Sequence, residues 1–505
     1  MTDFRSTHPG GHTIASPLGA VGRAGVVRPA SRRSGPPLTA PRDAAIPHLA
    51  EALDAATMRW IFQSTLFADR SPYGAPARRG ARWQVRRCEI EWIKYRPGKN
   101  CTVAYRVGVH DASTRRNAEQ LLCARVFEAG RSVARFEAIP VEALVRPEIG
   151  PPILHLPEMD MIVCTFPNDM KLHALPSLVD ADRLRNELMP AVVGAAVGPG
   201  WTITAVMSDV VQYVPEETCT VRVRAHLECA DSGDHEAIIV YGKIFKGGQG
   251  ADTFAMMHRL WDCEARREGR LRMARPLVYD LDHHALWQMG VPGSALLEED
   301  LTGPRSRALL AKAAIAVGAL HTSSVVCTRS VEVADAQGRL VEMRRVLPQI
   351  TPSVRFALEP LVDRLLVQGE HLGVQPSAVL HGDLRLRHFI VDGDDVSLID
   401  VDNVCHGSPW QDIGSLAATM LYKGMLAGLP DRVIHDSLAL FCAEYAQNVP
   451  WAMSNDVMSW YTAVALINER VFRCVTRMQQ DKLERVDDLV ARAALVLSRH
   501  GTPWC

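Results

Sequence analysis

The residues best suited to chemistry lie in one stretch, Ser377–Met420, which runs SAVLHGDLRLRHFIVDGDDVSLIDVDNVCHGSPWQDIGSLAATM. An apolar strand over Ala378–Leu380 runs into His381-Gly382-Asp383. His388–Val391 and Val396–Ile399 then form a hairpin around Asp392-Gly393-Asp394-Asp395, where glycine supplies a positive φ. The second strand delivers Asp400 at its end. Asp402 stands two residues on, so it shares the side of Asp400 if the strand continues. Two carboxylate-bearing loops therefore emerge beside each other. Phosphoryl transfer uses such a pair: one carboxylate orients the acceptor hydroxyl and takes its proton. A second, with a polar neighbour, holds Mg²⁺ against the nucleotide phosphates.

In protein kinases the catalytic Asp shares its loop with an Asn, and the metal-binding Asp follows a short hairpin later. The order here is the same, except that the Asn place is taken by His388. The segment resembles the aminoglycoside phosphotransferase/choline kinase family, which has a protein-kinase-like fold. The residues that carry the resemblance are His381-Gly382-Asp383, His388, Ile399-Asp400 and Asp412-Ile413 at the family's spacing. It is good over Ser377–Met420 and weaker over Ala205–Arg499. It implies an ATP- and Mg²⁺-dependent phosphotransferase with Asp383 as catalytic base and Asp400 as metal ligand. It also implies a hydroxyl on a small polar molecule as acceptor. His381 is read as loop support and Asp412 as capping or bracing a helix, an Asp before a helical run being a good N-cap. Asp402 is either a metal neighbour or a solvated acid.

His388 departs from the family. An Asn amide oxygen suits Mg²⁺, whereas imidazole prefers Zn, Cu or Ni. Three readings stand. His388 ligates a softer metal, acts through a water, or orients Asp383 while Asp400 and the phosphates hold the metal; the third is favoured.

A kinase-like site also needs a lysine on a sheet strand to meet the nucleotide phosphates. Lys243, within IIVYGKIFKGG, is the candidate, and Lys246 at the strand end is the alternative. Glu264 is the candidate partner of Lys243, and Gln288–Gly293 the linker between lobes.

The lysine sits in a repeat. At a constant offset of 118 residues, Tyr95–Phe136 and Tyr213–Phe254 share ten identities in 42 positions, among them Tyr95/Tyr213, Pro97/Pro215, Cys101/Cys219 and Phe136/Phe254. Each copy reads as strands (Glu91–Arg96, Thr102–Val109 and Leu121–Phe127; Asp209–Val214, Thr220–Leu227 and Ala237–Phe245), then Gly and a helix. Arg125 stands where the second copy has Lys243, and its rigid fork is no substitute for Lys at a phosphate site. From about Leu301 the pattern turns helical: Arg305–His321, Ser353–His371, Gly414–Leu426, Arg432–Asn448, Asn455–Met478 and Asp481–Arg499.

The expected architecture is α+β and protein-kinase-like, an antiparallel β N-lobe with a mainly helical C-lobe, preceded by a second N-lobe-like repeat. Its divisions are 1–46 as a disordered tail rich in Gly, Pro and Ser, 47–200 as a degenerate repeat, 201–297 as the nucleotide-binding lobe, and 298–505 as the catalytic lobe. Within the last, Trp460 and Tyr461 are candidates for an acceptor-stacking wall, with core aromatics as the blander reading. Glu298, Glu299 and Asp300 could make an acidic cleft for a cationic acceptor, or form a solvated helix start.

Composition bounds the function. A net charge of −1, from 56 basic and 57 acidic residues, argues against a dedicated nucleic-acid binder. No run of 18 apolar residues suggests a membrane span. The 12 cysteines form no CxxC pair and suit free thiols in a reducing compartment, so a cytoplasmic enzyme is expected. A pseudokinase acting as a nucleotide sensor or scaffold is the competing reading. A protein kinase is disfavoured, because little chain separates Asp400 from Asp412.

Overall fold

The computed structural model describes residues 41–66, 83–478 and 480–498. Residues 1–40 of the expected tail lie outside these. Residues 41–46, assigned to the same tail, are built into the fold. Ile46 is buried, and Asp43 accepts hydrogen bonds from the Tyr95 hydroxyl and the Gly98 N–H, each at 2.8 Å. A single carboxylate closing a hairpin turn outweighs the polar composition around it.

Two five-stranded antiparallel sheets follow each other. The first holds β1 (Trp83–Arg96), β2 (Asn100–Asp111), β3 (Arg116–Phe127), β4 (Ile153–Leu156) and β5 (Met161–Thr165), in the order β1-β2-β3-β5-β4. The second holds β6 (Trp201–Val214), β7 (Thr218–Cys229), β8 (His235–Phe245), β9 (Pro276–Asp280) and β10 (Ala285–Met289), in the matching order β6-β7-β8-β10-β9. The first bulge also recurs, at Val85/Arg87 and at Ile203/Ala205. β1 and β6 are longer than the sequence suggested, because these bulges break the two-residue alternation on which strand recognition depends.

The duplication also reaches upstream of the identities. Asp169 takes the Tyr213 hydroxyl at 2.7 Å and the Glu216 N–H at 2.9 Å, as Asp43 takes those of Tyr95 and Gly98. Gly98 and Glu216 both have a positive φ, 68° and 59°. Glycine adopts that region freely, whereas a glutamate must be held there.

The helical lobe packs around one core that includes Leu310, Val317, Leu416, Met420, Phe441 and Trp460. Its long helices are Pro304–His321, Val333–Ile350, Arg355–Glu370, Pro409–Ala427, Asp431–Gln447, Asn455–Ala465 and Val486–Ser498. Val333–Ile350 went unread, its mean apolarity being low and its course including Pro348. The single helix expected over Asn455–Met478 opens into a wide turn at Leu466–Val471 before resuming at Phe472–Thr476.

Small sheets carry the loops of interest. β11 (Ser294–Ala295), β13 (Phe389–Asp392) and β14 (Asp395–Leu398) form one, and β12 (Ala378–Leu380) pairs with β15 (Cys405–Gly407) in another. β11 directly follows the interlobe linker, so the linker is tied to the hairpin. At Gly293, with φ 109°, a Cβ would lie 2.0 Å from the Val391 carbonyl oxygen, and only glycine fits. The whole is α+β: two antiparallel sheets of matching strand order, followed by a mainly helical lobe.

Candidate active site

The His381-Gly382-Asp383 loop leaves β12 and is held from below by Asp412. The Asp412 carboxylate accepts the backbone N–H of His381 at 2.6 Å and of Gly382 at 2.9 Å. Asp412 is itself buried in the first turn of Pro409–Ala427, with His321 Nε2 at 3.2 Å, and His321 Nδ1 lies 2.7 Å from the Tyr445 hydroxyl. It braces the loop and caps no helix. Gly382 has φ 77°, and a Cβ there would lie 2.2 Å from the Asn403 carbonyl oxygen. Glycine is what lets the two carboxylate loops touch. His381 supports the loop as expected: its Nε2 lies 2.9 Å from the Ile399 carbonyl, and its ring stacks on His388 at 5.3 Å.

Asp400 follows β14 with φ 65°, and Val401–Asn403 form a single tight turn. The strand therefore does not continue. Asp400 and Asp402 converge because of this left-handed residue, not by strand alternation. Both meet Lys243, whose Nζ lies 2.8 Å from Asp400 Oδ1 and also bonds Asp402 Oδ2. β8 runs between β7 and β10, so Lys243 is on an inner strand and not a solvated edge.

The electrostatics follow from this triangle. Burial works against the Lys243 ammonium, but the carboxylates of Asp402 and Asp400 outweigh it and hold the charge more firmly than usual. Burial likewise opposes ionisation of Asp400, and the Lys243 ammonium overcomes it, keeping the carboxyl well below the usual range. Asp402 goes the other way. Burial pushes it up to about 6 against the pull of Lys243, with the charge of Asp400 adding to the rise.

His388 faces Asp400, not Asp383. Its Nε2 lies 3.3 Å from Asp400 Oδ2 and accepts from Arg387 Nε at 2.9 Å. Burial, then the neighbouring His381, lowers its pKa to about 2, so the ring is neutral. The reading in which His388 orients Asp383 is corrected by this placement. The side chain of Asp383 instead pairs with Arg385 and lies 3.9 Å from Arg473. Burial raises its pKa, and the two guanidinium groups pull against that rise.

The Mg²⁺ implied by the resemblance can be set against this donor set. Asp400 and Asp402 offer hard carboxylate oxygens already gathered around one positive charge, and they fit such a cation. The neutral imidazole of His388 suits softer ions and does not fit as a magnesium ligand. Among the described residues no group of three or more His, Cys, Asp or Glu is placed to hold a metal, so nucleotide phosphates would have to complete the shell.

Other candidates fall away. Among the described residues Glu264 makes no ion pair with Lys243, and it starts a short separate helix, Glu264–Arg267. Lys246 lies 3.6 Å from Glu217, away from the carboxylate triangle. Trp460 and Tyr461 are core aromatics, Trp460 Nε1 bonding the Leu365 carbonyl at 2.8 Å. Asp300 accepts from the turn at Thr302, and Glu299 lies 3.7 Å from Arg305.

No curated protein matches the chain. Residues 243–446 match the model of the phosphotransferase enzyme family, a span that opens at Lys243 and includes Asp383, Asp400, Asp402 and Asp412. Solved structures similar to the chain include an aminoglycoside phosphotransferase from Streptomyces rimosus, 20% identical, covering 55% of this chain and 96% of its own, with a TM-score of 0.36. A choline/ethanolamine kinase family protein from Mesorhizobium loti is 16% identical over 62% of this chain and 95% of its own, with a TM-score of 0.40. A choline kinase from Streptococcus pneumoniae is 14% identical over 61% and 98%, with a TM-score of 0.39.

Within residues 243–446, sequence reasoning missed His321, Arg385 and Tyr445. His321 ends an apolar helix and reads as core. Arg385 alternates with Leu384 and Leu386, a pattern that suggests a solvated side chain, yet it is buried against Asp383. Arg473, outside the matched span, had no sequence signal.

Proposed function

We propose that this chain is an ATP-dependent O-phosphotransferase acting on a hydroxyl of a small polar molecule. The observation that carries the reading is Lys243, which reaches from the β lobe to Asp400 and Asp402 of the helical lobe, beside the braced Asp383 loop. Asp400 and Asp402 would hold Mg²⁺, and Lys243 would meet the nucleotide phosphates. Bound there, the cation supplies charge neutralisation for the transferred phosphoryl group. Asp383 is the base: the acceptor O–H gives its proton to the Asp383 carboxylate. The acceptor oxygen bonds to the γ-phosphorus as the bond to the β–γ bridging oxygen breaks, leaving ADP. Arg385 and Arg473 favour the ionised form of Asp383 despite burial.

The pseudokinase reading draws on His388 in the place of Asn. Asp402 weighs against it, since it offers a second oxygen ligand where the asparagine oxygen is missing. ATP turnover with Mg²⁺ against a panel of sugars, aminoglycosides and hydroxy acids, run beside calorimetry of nucleotide binding, separates the two. Phosphorylated acceptor supports the enzyme; tight nucleotide binding with no transfer to any acceptor supports the scaffold.

The first sheet is read as a brace and not as a second nucleotide site. Arg125, the counterpart of Lys243, is paired with Glu216 from the β6–β7 turn, and Lys171 lies 3.4 Å from the same carboxylate. The chain's own carboxylate thus takes the place a phosphate would need.

A further inference from the structure

The surroundings of Asp383 carry far more positive charge than the site needs. Arg385 pairs with Asp383 and Arg473 lies 3.9 Å from it; the charges of Arg470 and Arg387 act on Arg473, and Lys423 in turn feels those of Arg387 and Arg470. Among the described residues, Asp383 and Glu469 are the carboxylates that pair with these arginines. Arg385 and Arg470 already share these two: Arg385 pairs with Asp383 and lies 4.0 Å from Glu469, and Arg470 pairs with Glu469. Ser415 Oγ donates to Glu469 at 3.0 Å as well. Among the described residues neither Arg387 nor Lys423 has a carboxylate partner. Arg473 has Asp383 only at 3.9 Å, and there Arg385 is the closer cation.

Two further facts point the same way. The Nε atoms of Arg385 and Arg470 are buried without an acceptor, although both residues are more than nine-tenths buried. Buried donors of this kind cost stability unless something accepts from them. The basic groups also crowd one another: burial first, and then like charge from Arg470 and Arg387, makes the Arg473 cation harder to hold than usual. Cations held close together with few counter-charges gain when an anion comes between them. The wide turn that places Glu469 and Arg470 is itself a helix irregularity of the kind found at functional sites.

We propose that the acceptor is an anion: a hydroxyl compound that carries a phosphate or carboxylate group. Arg473, Arg387 and Lys423 hold that group while the hydroxyl meets Asp383. A cationic acceptor such as an aminoglycoside is repelled by the same residues. The inference rests on the phosphotransferase reading for its orientation but not for the anion site itself.

The test has two arms. In the first, binding of inorganic phosphate and of citrate is measured by calorimetry on the full chain, with a non-hydrolysable ATP analogue and Mg²⁺ present. Arg473 is about half exposed, so Arg473→Ala is expected to fold. Arg473→Ala and Lys423→Glu should each weaken anion binding at least ~10-fold, the scale of one charge-assisted hydrogen bond, and Arg473→Lys should restore most of it. Phosphate binding without citrate binding assigns a phosphorylated acceptor, and the reverse a carboxylate. Binding of neither, or equal binding in all variants, overturns the proposal. In the second arm, one sugar is offered for phosphorylation as neutral, amino and phosphorylated or carboxylated forms. Turnover of an anionic form, with KM raised at least ~10-fold by Arg473→Ala, supports it. Efficient turnover of an amino form with KM indifferent to Arg473→Ala overturns it while leaving the phosphotransferase reading intact. Anion binding that depends on Arg473, with no transfer to any acceptor, supports the anion site and sinks the phosphotransferase reading alone.

Discussion

At the scale of single residues, the site is a contest between burial and paired charge. Lys243 stands between Asp400 and Asp402 and keeps Asp400 firmly ionised, while burial, with the charge of Asp400, holds Asp402 up to about 6 against the pull of Lys243. The sign is that of an acid with a raised pKa: Asp402 is charged above about 6 and neutral below it. A carboxyl must be ionised to ligate a cation, so Mg²⁺-dependent nucleotide affinity should fall as pH drops through about 6, by roughly tenfold per unit at most. Calorimetry of ADP with and without Mg²⁺ across pH 5–8 checks this, and Asp402→Asn should flatten the profile. Lys243, Asp383, Asp400 and Asp412 were legible because motif spacing places carboxylates and a lysine by backbone alone. The role of His388 was not, because the side a ring faces depends on Arg387 and His381 stacking around it, and that packing leaves no local trace.

At the scale of elements, the two carboxylate loops meet through Gly382 and Asp412. Gly382→Ala would place a methyl against the Asn403 carbonyl at a positive φ, and the loop could not keep its place. The variant should lose more than ~2 kcal/mol of stability in denaturant unfolding and nearly all turnover. Asp412→Asn keeps the shape while removing the charge that accepts two loop N–H groups and faces His321, so a milder loss in both measurements is expected. The strands of the repeat were legible from identities at constant offset. Their full lengths were hidden by bulges, and the break in the helix over Asn455–Met478 was hidden because a wide turn keeps helical periodicity nearly intact.

At the scale of the molecule, the first sheet links both lobes. Glu216 pairs with Arg125, and the neighbouring Glu217 pairs with Lys94 on β1 while lying 3.6 Å from Lys246. Arg477 of the helical lobe stacks over Trp92 at 4.0 Å and donates to the Ile93 carbonyl at 3.3 Å. β1 therefore touches the turn of the second sheet on one side and the end of the helical lobe nearest Arg473 on the other. Glu216→Ala leaves the partly buried Arg125 without its partner, and a loss of about 2 kcal/mol is expected. If the sheet braces the nucleotide lobe, the same variant also weakens nucleotide binding; if it stands apart, only thermal unfolding changes. That a copy of the β lobe was present could be read from the sequence. That its key position is filled by the chain's own glutamate could not, since residues 125 and 216 are joined only by the packing of one sheet on the other.

The central claim is that Asp383 takes the acceptor proton in a site whose nucleotide is held by other residues. The most direct measurement is therefore phosphoryl transfer and nucleotide affinity on the same preparation of the Asp383→Asn variant. The account predicts turnover reduced by at least ~100-fold, with nucleotide affinity within about twofold of the unaltered protein. Turnover that survives the substitution, or nucleotide affinity that disappears with it, would contradict the account.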